Sequence, residues 1–158
     1  MADEVTEPDE LIGSTVGKYE IVGKIGHGGM GRVYEALNPT LGKRVALKLL
    51  DPELAKNASA AARFRREARA ASAASSPHIV EMFDADISDD GSPYIVMELL
   101  DGEALSDTLA REGVLDPAEA TRIAVQLLRG LAKAHEAGIV HRDLKPDTVF
   151  MEHRDHEP

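Results

Sequence analysis

From Tyr19 the chain shows short apolar alternation, with Tyr19, Ile21, Gly23 and Ile25 at every second position, the period-2 pattern of a strand with one buried face. RVYEAL, in which Val33 and Tyr34 favour strand, continues it, and VALKLL at residues 45–50 makes a third apolar strand. A glycine-rich turn after Ile25 and a turn at Asn38, Pro39 and Gly42 separate these three. Pro52 ends the extended run, and the Ala-rich stretch 58–74 predicts a helix by propensity alone. Strand-like runs at 79–86 and 94–99, divided by SDDGSP, complete a set of five. Beyond residue 100 the period changes. Residues 105–112 predict a short helix, and Asp116, Pro117 and Glu119 open a longer one. In that helix Ile123, Leu127 and Leu131 recur as one apolar stripe, and Gly138 ends it. Strands first and helices afterwards predict an α+β fold.

Composition narrows the class. A net charge of -10 argues against binding a nucleic-acid backbone, because that affinity rests on Lys and Arg neutralising phosphates. The basic cluster Arg63, Arg65, Arg66 and Arg69 lies in the Ala-rich helix, as either a solvated face or a docking surface. There is no cysteine, hence no disulfide and no thiolate metal site. No apolar run approaches the roughly 18 residues that span a bilayer, and the start has no signal-peptide pattern, so a cytoplasmic location is expected. Asp3, Glu4, Glu7, Asp9 and Glu10 stand near the start without a basic residue. Such a composition buries too little to order itself, so residues 1–15 are expected to form an acidic disordered tail.

Three groups carry candidate chemistry. IGHGGMGRV holds Gly26, Gly28 and Gly31 in G-x-G-x-x-G order, and glycines let backbone amides approach a polyphosphate closely. Val33 and Tyr34 follow, so the glycines join two strands and do not open a helix. A plain hairpin without a ligand has the same pattern. Lys48 stands among Val45, Ala46, Leu47 and Leu49, and its ammonium must reach solvent, a carboxylate or a bound anion. Glu67 is a candidate carboxylate, although Arg63 four residues earlier competes for it. In HRDLKP, Asp143 can accept a hydroxyl proton while Lys145 neutralises charge on a transferred group. In this order the parts suit phosphoryl transfer.

IGHGGMGRV, VALK, Glu67 and HRDLKP together resemble, in order and spacing, the eukaryotic-like protein kinase domain, in its bacterial Hanks-type serine/threonine branch. The resemblance covers residues 16–150. It implies a five-stranded antiparallel N-lobe with one helix at 16–100, and the first C-lobe helices at 101–158. It also implies that ATP and Mg2+ are bound and that protein Ser/Thr hydroxyls are phosphorylated. By the same resemblance Ile25, Gly26, Gly28 and Gly31 cover the ATP phosphates, Lys48 contacts them while paired to Glu67, and Val33 and Ala46 roof the adenine. Met97 would be the gatekeeper, Glu98 and Leu100 would meet the adenine edge, and Phe150 would be its floor. Asp143 would be the catalytic base and Lys145 would steady the γ-phosphoryl group.

Two departures stand against full activity. Thr148 occupies the position of the family's magnesium-binding asparagine, with a shorter and weaker oxygen ligand. The D-F-G segment, which holds the other magnesium in the family, does not occur. The expectation is therefore a C-terminally truncated kinase domain, poorly active alone and prone to self-association through the uncovered stripe of the long helix. A non-catalytic half-kinase that binds ATP or docks a partner is the alternative.

Overall fold

The computed structural model describes residues 9–27 and 31–153, in two compact units. The first runs through Arg69 and takes up Met82–Leu99; the second joins Ala70–Glu81 to the chain from Leu100 onward.

The first unit is an antiparallel sheet in the order β1-β2-β3-β4-β6-β5. Its strands are β1 (Thr15–Val16), β2 (Tyr19–His27), β3 (Gly31–Asn38), β4 (Lys43–Leu50), β5 (Met82–Ile87) and β6 (Pro93–Glu98). The five expected strands are present, and the two-residue β1 adds a sixth. β4 lies inside the sheet, and its alternation feeds two cores. Val45, Leu47 and Leu49 pack with Tyr19, Ile21, Tyr34, Ala36, Tyr94 and Val96, whereas Leu50 and Ile95 pack against Ala61, Phe64 and Ala68 of α2 (Ala58–Ala73). Asn57 starts α2 by accepting from the backbone N–H groups of Ser59 and Ala60 at 3.0 and 3.2 Å. α1 (Pro52–Ala55) is a single turn with proline at its start. At the sheet's end, the aspartates of β5 serve their own strand. Asp84 accepts from the amide of Ala85 at 2.9 Å, and Asp86 from that of Ile87 at 2.8 Å.

The tail expected over residues 1–15 is corrected for its described part. Asp9 accepts a hydrogen bond from the Tyr34 hydroxyl at 2.7 Å, and Leu11 packs on the first core. Gly13 donates to the Ile21 carbonyl at 2.9 Å, and Ile21 donates to that of Ser14 at the same distance. Average acidity says little about one carboxylate that meets a buried phenol. Residues 1–8 lie outside the described part.

The second unit holds β7 (Gly102–Ala104) paired with β8 (Phe150–Glu152), α3 (Leu105–Glu112) and α4 (Pro117–Glu136). Asp116 caps α4 by accepting from Ala118 N–H at 3.1 Å, and Gly138 leaves it at a φ of 77°. Gly130 is the buried residue of α4, where a Cβ would lie 3.1 Å from the His78 carbonyl oxygen. Ile123, Leu127 and Leu131 are half-buried in this unit, while Val125 and Leu128 on the same helix are exposed. Glu103 ties β7 to α3. It accepts from both terminal nitrogens of Arg111 at 2.7 and 2.6 Å and from the Thr108 hydroxyl at 2.9 Å. The Arg111 fork is the main reason its carboxyl is held down at about 2.

Phe64→Ala should destabilise the first unit by about 3–5 kcal/mol, read by denaturant titration, because Phe64 fills the space between sheet and helix. For Glu103 the folded pKa is depressed, so its stabilisation is present above about pH 4.5 and is lost as pH falls through about 2. The difference in melting temperature between the wild type and Glu103→Gln should therefore shrink across that window.

Candidate active site

Sheet register brings three of the expected residues of the first unit together. Val33 of β3 stands opposite Gly26 of β2 and Lys48 of β4, and Lys48 stands opposite Ile95 of β6. One step along, Ala46 pairs with Met97, and Val45 with Glu98. Ile25 is 52% exposed beside Gly26, in keeping with a flap residue that has no core to enter. The two described glycines of the flap differ in physical role. A Cβ on Gly26 would meet nothing within 4 Å, so that strand is open to a ligand. At Gly31 a Cβ would lie 2.1 Å from the Leu49 carbonyl oxygen, so glycine is required there by the approach of β3 to β4. Gly28 lies outside the described residues.

Lys48 is half-buried, and its Nζ lies 6.0 Å from the ring centroid of Phe64. The pairing with Glu67 that the resemblance implies is not made. Glu67 is exposed on α2 and, among the described residues, forms an ion pair with neither Lys48 nor Arg63. The cause is the face that α2 presents: Phe64 and the alanines turn onto the sheet and leave Glu67 outside. An ammonium in this setting, without a carboxylate, suits an anion.

The second unit holds the HRDLKP residues. Asp143 and Lys145 face each other at 3.5 Å, Oδ2 to Nζ, and both side chains are well exposed. His141 has a role that no motif signals, since its Nδ1 accepts from the Asp143 backbone N–H at 3.2 Å. Between them Arg142 adopts a φ of 66°, a left-handed conformation that a non-glycine side chain holds only when its surroundings fix it. Thr148 supplies much of that fixing. Its hydroxyl accepts from Lys145 N–H at 3.1 Å and lies 2.9 and 3.3 Å from the carbonyl oxygens of Lys145 and Asp143. The three-residue 3-10 turn at Pro146–Thr148 is held by these bonds. Phe150 follows in β8 opposite Ala104, and Leu105 N–H donates to the Val149 carbonyl at 2.8 Å. Leu100, the first residue of this unit after the sheet, is half-buried.

Thr148 uses its hydroxyl to brace the loop, and no group of three or more His, Asp or Glu that could hold a metal occurs among the described residues.

Residues 19–157 match the protein kinase domain family model. The chain belongs to the protein kinase domain family. Among similar proteins, the serine/threonine-protein kinase pkn3 of Myxococcus xanthus is 40% identical over 153 residues, which are 96% of this chain and 28% of pkn3. PrkC of Bacillus subtilis, also named a serine/threonine-protein kinase, is 41% identical over 144 residues, covering 90% of this chain and 22% of PrkC. The chain thus spans about a quarter of the length of these relatives. The crystal structure of the Mycobacterium tuberculosis PknI kinase domain superposes with a TM-score of 0.78 at 32% identity, over 89% of this chain and 58% of that one. In kinase-domain terms the first unit is an N-lobe and the second is part of a C-lobe. No helix among the described residues is long and apolar enough to cross a membrane.

The two glycines should part in their response to alanine. Gly31→Ala should cost about 1–3 kcal/mol by overpacking, whereas Gly26→Ala should stay within about 0.5 kcal/mol; thermal melting of both variants without nucleotide checks this.

Proposed function

We propose that this chain carries the nucleotide-binding and catalytic-loop portions of a serine/threonine protein kinase, which transfers the γ-phosphoryl group of ATP to protein hydroxyls. The observation that carries this reading is the row Gly26, Val33, Lys48, where an open glycine position on β2 and an ammonium on β4, with no carboxylate partner among the described residues, flank Val33 of β3. In it the flap amides and Lys48 bind and orient the polyphosphate of ATP, which supplies the transferable phosphoryl group. Ile25, Val33, Ala46 and Met97 of the first unit offer apolar surface to the adenine, and the backbone of Glu98 offers hydrogen bonds. Asp143 takes the proton from the acceptor hydroxyl, and Lys145 at 3.5 Å offsets charge on the moving phosphoryl group. His141 and Thr148 keep Asp143 and Lys145 in place. A cytoplasmic location and Ser/Thr-containing protein substrates belong to the same proposal.

Two observations support the non-catalytic alternative for the 158-residue polypeptide by itself. Among the described residues Lys48 lacks the Glu67 carboxylate, and the Thr148 hydroxyl, at the position of the family's magnesium-binding asparagine, is engaged with the loop backbone. The isolated polypeptide is therefore expected to bind ATP weakly and to transfer phosphate poorly. Titration with a fluorescent ATP analogue, together with transfer of radiolabel to myelin basic protein, separates the readings: binding without transfer fits the alternative, and absence of binding by the wild type refutes both. Where transfer is measurable, Asp143→Asn should lower its rate by about 10²- to 10⁴-fold. Lys48→Met should abolish it, and an unchanged rate in either variant removes that residue from the mechanism.

A further inference from the structure

The outer side of the flap strands carries a charged network that the proposed chemistry does not use. Tyr34 is fully buried, and its hydroxyl donates to Asp9 Oδ2 at 2.7 Å. The same carboxylate oxygen lies 3.8 Å from Arg32 Nη1 and 3.9 Å from Lys24 Nζ, and Asp9 Oδ1 accepts from Leu11 N–H at 3.1 Å. Burial alone would raise the Asp9 carboxyl, but the Tyr34 hydroxyl, the Leu11 amide and the two cations outweigh it and hold the group ionised below its ordinary range. Arg32 continues to Asp51, Nε to Oδ1 at 3.6 Å, and His27 Nε2 reaches the other oxygen of Asp51 at 3.0 Å. Lys24 and His27 belong to β2 and Arg32 and Tyr34 to β3, in the pairs Lys24 with Tyr34 and His27 with Arg32. One carboxylate from outside the sheet thus grips both strands that carry the flap. Strand alternation turns Val33, between Arg32 and Tyr34, to the other face, where it stands in register with Gly26 and Lys48.

We propose that Asp9 is a positioning residue for nucleotide binding: by fastening the leader segment to the outer face of β2 and β3, it sets the posture of the flap whose inner face meets the phosphates. The proposal rests on the nucleotide-binding reading above. A leader that merely adds apolar cover to the sheet would act through Leu11; a leader that aims the flap acts through Asp9. The two residues are therefore tested side by side.

The 158-residue chain and its variants Asp9→Ala, Asp9→Asn, Asp9→Glu, Tyr34→Phe and Leu11→Ala should be compared by three readouts. These are deuterium uptake over residues 24–34 without nucleotide, normalised to β6, the affinity for a fluorescent ATP analogue, and the melting temperature. An unmade bond to a buried hydroxyl leads us to expect about tenfold faster exchange in the flap strands and about tenfold weaker nucleotide binding for Asp9→Ala. Asp9→Asn keeps an acceptor for Tyr34 but no charge and should fall between, Tyr34→Phe should approach Asp9→Asn, and Asp9→Glu should recover most of both effects. Leu11→Ala should lower the melting temperature and leave flap exchange and affinity unchanged. Exchange and affinity of Asp9→Ala within about twofold of the wild type would overturn the proposal, as would a Leu11→Ala variant that moves all three readouts together with it. If the wild type binds no nucleotide, the functional reading fails, while the exchange data still decide whether Asp9 holds the flap.

Discussion

The hydrogen-bonded ladder of β4, paired to β3 on one side and β6 on the other, is the constraint on which the rest of the first unit depends. Because side chains alternate, this single register sends Val45, Leu47 and Leu49 into one core and Leu50 toward Phe64 in the other. Lys48 shares the second face, between Leu47 at 0% exposure and Leu49 at 4%. A slip of one residue would press the ammonium into an apolar core and turn Leu47 out, at a cost of several kcal/mol from the buried charge alone. The hydrophobic pattern of one strand therefore fixes where the cation stands, without any contact dedicated to it.

The HRDLKP loop is held by different physics. Its bonds run between neighbours: His141 to Asp143, Thr148 to Lys145 and Asp143, and Asp143 to Lys145. The β7–β8 pair then anchors the loop's exit, with His153 N–H donating to the Asp101 carbonyl at 2.7 Å. A loop tied to itself keeps its shape through local bonds that cost little chain entropy to close. The strained φ of Arg142 is the residue of that arrangement, supported on both sides by side-chain-to-backbone bonds.

Legibility in the sequence followed the range of the interactions. The strands around Tyr19, Val45 and Tyr94 and the helices at Leu105 and Pro117 announce themselves by period and caps, because those signals are local. Lys48, Asp143 and Lys145 stand out as candidates because each is chemically conspicuous within its own segment. The engagement of Asp9 with Tyr34 does not, since it joins residues 25 positions apart and depends on one geometry among many. The β7–β8 pair was hidden for the same reason. Glu67 failed in a further way: its place on a helix was readable, but the rotation of that helix is set by Phe64 and Ala68 packing on the sheet. Thr148 read as a defective metal ligand, and only the bond geometry shows it as a brace.

The aspartates of β5 have a consequence for the molecule in company. An end strand normally offers bare amides to any extended chain that passes, and that is how sheets recruit strangers and grow into aggregates. Here Asp84 and Asp86 occupy the amides of Ala85 and Ile87 and place negative charge beside them. An incoming strand would have to displace a charged acceptor for each bond it made. The sheet thus ends by its own chemistry, and a crowded solution of this chain is spared one common route to fibres.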